Sequence, residues 1–280
     1  MKPLILGTRG SLLAKAQSQQ VADSLSERSG IPVVLKIIQT RGDAIQNKPL
    51  AEIGGKGLFT LELEEALHEG TIDFAVHSLK DLPTDDPDGL MIGSIPKRED
   101  PRDALIGKLS GRIGTGSLRR RVQLSDLNPN IDLLPCRGNV DTRLSKLDNG
   151  MYDGIVLAMA GLNRLGITRP DMRPLSLSES VPACAQGALG LQCRSDRTEI
   201  RQILQLIHDP QTAKCVQEER LFLHQLGGGC HIAAACHVWF DDTSNHFCGI
   251  AMCFDEHNKK VKRAELSGEE LGLRRLDAVR

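Results

Sequence analysis

Basic side chains recur at turns in this chain, each beside a glycine or a small hydroxyl residue. "GTRGS" carries Arg9 and Ser11, "TRGD" carries Arg41, "GGKG" carries Lys56 and "HSLKD" carries Lys80. Further along come "GSLRRR" with Ser117 and Arg119 to Arg121, "CRGN" with Arg137 and "DTRL" with Arg143. A guanidinium presents a planar fork matched to carboxylate or phosphate. Helix N-termini add backbone N–H donors for anions. For any one of these cations alone, a solvated surface charge is the plainer reading. Their recurrence where strands are expected to give way to helices points to a ligand bearing several anionic groups.

Two other residues could do chemistry. "HSLKDLP" sets His77, Ser78, Lys80 and Asp81 just past an apolar stretch, with Asp81 held before Leu-Pro. A carboxylate there could steady a developing cation or take a proton. It could equally cap nearby backbone N–H groups, and the residues alone lean slightly that way. "LGGGCHIAAACH" places three glycines ahead of Cys230, which gives the thiol exposure and leaves room for a bulky group. Nucleophile, attachment point, metal ligand and apolar filler all remain open. Metal is not favoured, because the five residues between Cys230 and Cys236 are not a zinc-knuckle spacing. No local signature of a Cys/His/Asn protease accompanies the thiol. Cys136, Cys184, Cys193, Cys215, Cys248 and Cys253 read as buried small hydrophobes.

Composition narrows the field. The 280 residues are 40% hydrophobic and 25% charged, which is ordinary for globular domains with real cores. Aromatics make up only 3%, too few for a base-stacking surface, and the net charge of -1 suggests no polyanion partner. No nucleic acid is expected. No apolar run approaches the ~18 residues that span a bilayer, and no signal peptide is recognisable. A cytoplasmic protein with reduced thiols is expected, and no C-x-x-C pair occurs. "GGKGLF" lacks the spacing of a phosphate-binding loop, and no G-x-G-x-x-G follows a strand, so nucleotide binding has little support.

The elements that must position these residues alternate. "PLILGT", "VVLKIIQT" and "IDFAVH" read as strands; "LLAKAQSQQVADSLSER", capped by Ser11, and "GLFTLELEEALHEG" read as helices. The pattern then restarts. "GRIGTGS", "IDLLPC" and "DGIVLAMA" are strand-like, with helices predicted over "SLRRRVQLSDL", capped by Ser117, and "VDTRLSKLDNG". Two such runs predict two similar α/β domains with parallel or mixed sheets. In open α/β sheets the loops at strand C-termini converge on the ligand. After Pro210 a helix, "TAKCVQEERLFLHQL", leads into the glycine loop. Three strand-like pieces follow, "HIAAACHVWF", "HFCGIAMCF" and "KVKRAELS", with a last helix at the end. This is a small α+β domain carrying Cys230.

Together "GTRGSLLAKAQ", "IGGKGLF", "AVHSLKDLPT", "REDPRDAL", "GSLRRR", "RGNVDTRLSKLDNGMYDGIVLAMAGLNRLG", "AQGALGL" and "LGGGCHIA" resemble the porphobilinogen deaminase family, in the family's order. The resemblance implies an enzyme, a transferase of heme biosynthesis, that joins four porphobilinogen molecules head to tail with loss of ammonia and releases linear hydroxymethylbilane. It implies a covalent dipyrromethane cofactor, one per chain, on a thioether to Cys230. Asp81 becomes the catalytic residue that steadies the cationic azafulvene. Ser78, Lys80, Ser117, Arg119 and Arg120 become cofactor-binding. Arg9, Ser11, Lys56, Arg137 and Arg143 bind substrate carboxylates. Arg164 serves the growing chain, and Gln186 lies on an interdomain crossover at the substrate. The partners are porphobilinogen and its oligomers, with no membrane, no metal and a monomeric state.

The implied fold class is α/β in three domains: two lobes like those of periplasmic binding proteins, with the active site between them, and a small α+β domain. Residues 1–97 and 188–206 form domain 1 with Asp81. Residues 98–187 form domain 2 with the arginine cluster, and 207–280 form domain 3 with Cys230. The chain departs from the family's pattern at Glu52 (usually lysine), Gly116 (usually serine), Cys184 and Ala185 (valine and glycine), and His231, Ile232 and Ala233. The 103–114 stretch and the C-terminus are shorter. Ala185 implies a stiffer hinge, and the departures allow a divergent paralogue that carries the cofactor and elongates poorly. Binding without chemistry is the remaining alternative.

Overall fold

The computed structural model describes residues 2–40, 60–227 and 233–267. Lys56, Cys230, Arg41, Glu52, His231, Ile232 and the expected last helix lie outside the described residues. The chain forms two compact units, Met1–Arg98 with Ala188–Ala213, and Glu99–Gly187 with Lys214–Arg280.

The first unit opens with β1 (Leu4–Arg9), α1 (Leu12–Ser29), β2 (Val33–Ile38), α2 (Leu61–His68), β3 (Phe74–Ser78), a 3-10 turn at Leu79–Asp81 and β4 (Leu90–Ser94). The second opens with β5 (Asp103–Gly107), β6 (Arg112–Gly114), α3 (Leu118–Leu127) and β7 (Asp132–Leu134). It continues through α4 (Val140–Asp148), β8 (Gly154–Ala158), α5 (Met159–Arg164) and β9 (Met172–Pro174). The chain then returns to the first unit as β10 (Leu189–Arg194) and α6 (Thr198–Leu204). Helix α7 (Pro210–Gln225) leads to β11 (Ala234–Asp241), β12 (His246–Asp255) and β13 (Lys260–Ser267).

The two large sheets share one topology. The first runs β2-β1-β3-β10-β4 and the second β7-β6-β8-β5-β9. In each, three parallel strands are followed by one that is antiparallel to both its neighbours. The two similar mixed α/β lobes expected from the alternation are present. β11, β12 and β13 make a separate antiparallel sheet, the expected small C-terminal element.

Both large sheets are covered on both faces, as parallel strands require. Along β1, Leu4 and Leu6 pack with Val21 and Leu25 of α1, while Ile5 joins Leu63 and Leu67 of α2. Along β5, Ala104 and Ile106 face Leu147 and Leu162, and Leu105 faces Leu124 and Leu175. The strand period of two therefore sorts side chains to opposite helical layers. Phe222 of α7 is fully buried against Cys215, Cys236 and Val238.

Some expectations need correction. β8 ends at Ala158, and Met159 and Ala160 already belong to α5, so "DGIVLAMA" is strand for five residues only. Cys248 and Cys253 are only partly buried, because the ends of a three-stranded sheet are thinly covered. Strands β4, β5, β9 and β10 complete the sheets although the alternating pattern does not announce them.

Gly154, which pairs with Gly107 across β8 and β5, has no room for a side chain: a Cβ would sit 2.2 Å from the Lys108 carbonyl oxygen. Backbone cannot yield as a flexible side chain does. Gly154→Ala is expected to cost roughly 1–3 kcal/mol, read as a lowered urea midpoint with the slope unchanged.

Candidate active site

In the first unit, Arg9 closes β1 and Ser11 follows it, with the Ser11 hydroxyl accepting from the Ala14 N–H at 3.2 Å to start α1. Ser78 closes β3, and Lys80 and Asp81 lie in the 3-10 turn beyond it. Because β1 and β3 are neighbouring parallel strands, these residues share one C-terminal sheet edge. The Gln17 side-chain amide donates to Ser78 Oγ at 3.2 Å, pinning α1 to the end of β3. Asp81 is exposed, so its carboxylate is available to a ligand.

Directly behind this edge His77 is buried, with Nε2 3.0 Å from Gln192 Oε1 on β10. Burial pushes its pKa from 6.5 down to about 4; the Gln192 hydrogen bond opposes that shift and the charge of Arg9 adds to it. His77 is thus a neutral ring beneath a cationic rim.

The second unit repeats the arrangement. Ser117 follows β6 and caps α3, its hydroxyl accepting from the Arg120 N–H at 3.4 Å. Arg137 follows β7, Arg143 lies in α4, and Arg164 ends the short α5 after β8. Since β7, β6 and β8 are parallel neighbours, these residues gather at one sheet edge. Arg143 Nε donates to the Gly138 carbonyl at 2.7 Å. Arg164 donates to the Gly187 carbonyl at 2.7 Å; burial pulls its pKa down to about 10, and Glu99 opposes that.

Arg119 and Arg120 are buried and share a carboxylate, Asp103, that is fully enclosed. Arg119 donates to Asp103 Oδ2 at 2.8 Å and to Oδ1 at 3.2 Å. Arg120 donates to Oδ1 from Nη2 at 2.7 Å and from Nε at 3.1 Å. Ser180 Oγ and Gln186 Nε2 each add a donor at 2.8 Å. Burial would raise the Asp103 carboxyl, but the two guanidiniums outweigh it and hold the pKa far below the usual carboxylate range. Burial likewise draws Arg119 down against the pull of Asp103. The cluster of two cations and one anion is positive by one.

Residues 180–187 are fastened along their length. Gln123 brackets Val181, accepting from its N–H at 2.8 Å and donating to its carbonyl at 3.1 Å, while Arg119 donates to that carbonyl at 2.6 Å. The buried Glu219 of α7 accepts from the N–H groups of Ala185 at 2.6 Å and Val238 at 2.8 Å, with His237 Nδ1 3.1 Å away. Ala185 has φ of 61°, in the left-handed region that favours glycine.

A family described as "Porphobilinogen deaminase, dipyromethane cofactor binding domain" matches residues 4–202. The chain belongs to the porphobilinogen deaminase family. A porphobilinogen deaminase of Macrococcus caseolyticus is 44% identical over 97% of this chain and 92% of its own. One from Syntrophobacter fumaroxidans is 42% identical over 97% and 90%, and one from Nitratidesulfovibrio vulgaris 46% over 96% and 88%. Within the family match fall all the expected site residues except Cys230.

The structure brings Arg9, Ser11, Ser78, Lys80 and Asp81 to one edge, and Ser117, Arg119, Arg120, Arg137, Arg143 and Arg164 to another. Gln186 joins the arginine pair through Asp103. The sequence reading overlooked Asp103, Glu219 and Gln192. Only Asp103 left a trace, within the stretch "REDPRDAL" just ahead of the apolar run "ALIG".

Two outcomes follow. Ala185→Gly removes a left-handed penalty of ~1–2 kcal/mol and restores chain freedom worth ~0.4–1 kcal/mol, so a net gain of about 0.5–1 kcal/mol is expected in thermal unfolding. For His77 the folded pKa lies below the unfolded one, so protonation favours unfolding. Its contribution is fully present above 6.5 and is lost as pH falls from 6.5 to about 4. The loss is of order 3 kcal/mol, and His77→Gln is expected to flatten the stability profile across that window.

Proposed function

We propose that this chain is a hydroxymethylbilane synthase that condenses four porphobilinogen molecules head to tail, releases ammonia at each step, and frees linear hydroxymethylbilane by hydrolysis. The observation that carries this is Asp81 standing exposed in a turn beside the strand ends of Arg9, Ser11, Ser78 and Lys80, in a chain of the porphobilinogen deaminase family.

Each pyrrole of the substrate carries an acetate and a propionate, so the bound species is rich in carboxylates. The residues present fit a dipyrromethane for the same reason: they offer hydroxyls, ammonium and guanidinium donors at sheet edges and helix starts. Ser78, Lys80, Ser117, Arg119 and Arg120 would hold it, with Cys230 as its covalent attachment. When bound, the group supplies a nucleophilic pyrrole carbon on which the chain is built. Arg9, Ser11, Lys56, Arg137 and Arg143 take the carboxylates of incoming porphobilinogen, and Arg164 and Gln186 serve the lengthening product.

Asp81 has the central chemical part. As ammonia leaves, positive charge spreads over the substrate pyrrole and its N–H becomes a stronger donor. A fixed carboxylate accepting from that N–H is worth more in the transition state than in the ground state. The rim cations hold the substrate by its carboxylates, which leaves Asp81 as the anion facing the ring. The same proposal includes the division into domains 1–97 with 188–206, 98–187 and 207–280, and a monomer working in the cytoplasm without nucleic acid. No helix among the described residues is long and apolar enough to cross a membrane.

Protein made in a host that supplies porphobilinogen should exceed its sequence mass by one dipyrromethane and turn pink with acidic Ehrlich reagent. Cys230→Ser should abolish both. Asp81→Asn is expected to cut kcat by about 10²–10³. An unmodified mass together with no consumption of porphobilinogen overturns the reading.

A further inference from the structure

Asp103 has no part in the chemistry proposed above, yet among the described residues of the second unit its side chain accepts the most hydrogen bonds. Its two oxygens take hydrogen bonds from Arg119, Arg120, Ser180 and Gln186. None of its surface reaches solvent, so its role must run through its donors. Two guanidiniums side by side and out of water repel each other, and each would otherwise lose its fixed direction. One carboxylate between them cancels one charge and locks both forks. Arg119 is held further by the Val181 carbonyl and Arg120 by the Val156 carbonyl at 2.9 Å. The remaining positive charge has no partner within this cluster, because Ser180 and Gln186 are neutral. A buried surplus charge favours an anion at its exposed margin.

We infer that Asp103 is a positioning residue that presents the Arg119–Arg120 pair as a rigid receptor, positive by one, for a single carboxylate of the dipyrromethane, and joins that receptor through Ser180 and Gln186 to residues 180–187. The inference rests on the proposed function for the identity of the carboxylate. The link through Gln186 is short: its amide donates to Asp103 at 2.8 Å and to the Pro101 carbonyl at 2.7 Å. Gln186 stands next to Gly187, after which the chain passes into the first unit at Ala188. The segment is therefore tied to the receptor at both ends, by Ser180 and Val181 at one and by Gln186 at the other.

The test uses the full-length protein made in a host that supplies porphobilinogen. Asp103→Asn keeps the shape and removes the charge. The fraction of folded Asp103→Asn that carries the cofactor mass is expected to fall about tenfold. Combined with Arg119→Gln, the losses of cofactor loading should be non-additive, since both act through the same fork. A merely structural aspartate would lower the melting temperature and leave the loading of the folded protein unchanged. Should Asp103→Asn fail to fold, Asp103→Glu keeps the charge and displaces the forks, and the same fall in loading is expected. In the unsubstituted protein, nitrogen NMR should find both guanidiniums rotating slowly. Full loading in either folded variant, additivity in the cycle, or fast rotation of the guanidiniums overturns the inference. An unsubstituted protein that neither carries the cofactor mass nor consumes porphobilinogen sinks the proposed function instead, and slow guanidinium rotation still reports whether Asp103 holds the pair.

Discussion

Positive charge held at the ends of parallel strands is the constraint from which the rest of the molecule can be understood. A parallel sheet directs its turns and helix starts to one edge. Each lobe uses that edge for cations and hydroxyls, and each pays for the concentration of charge differently. In the first unit the ring behind Arg9 is a buried, neutral histidine held by Gln192. In the second a buried carboxylate sits beneath two arginines and offsets half of their charge. Water is kept from both supporting groups, so the rim side chains do not relax into alternative pairings.

The shared topology explains how one chain doubles this arrangement. Strand order and direction coincide in the two large sheets, with one antiparallel strand in the same place. Asp81 has no counterpart among the second unit's rim residues named here. The first unit's edge carries an exposed acid, and the second unit's edge carries the larger share of the arginines.

Much of this is legible in the sequence where local physics decides it. Ser11 and Ser117 sit ahead of helical spacing and do cap α1 and α3. The turns with arginine or lysine fall after β1, β3, β6 and β7 as alternation predicts. What was hidden depends on tertiary packing. Glu219 lies among charged neighbours in "VQEERLF" that give no sign of its burial, yet it is fully buried and accepts from the N–H groups of Ala185 and Val238. The alternating pattern does not announce β10, where glycine and glutamine interrupt "LGLQCR". Gly190 is required there, since a Cβ would meet Leu79 Cγ at 2.9 Å, and Gln192 is the partner of His77. A polar residue in a strand looks like an interruption until its partner on another strand is known.

The place of β10 has a consequence for how the molecule is made. It lies between β3 and β4 in its sheet but is synthesised after every strand of the second lobe's large sheet. On a ribosome, residues 99–174 can close their sheet while the first lobe still lacks an interior strand and shows two unpaired edges. The N-terminal lobe is therefore the later one to finish, and its growing chain is the one with most need of shelter from aggregation.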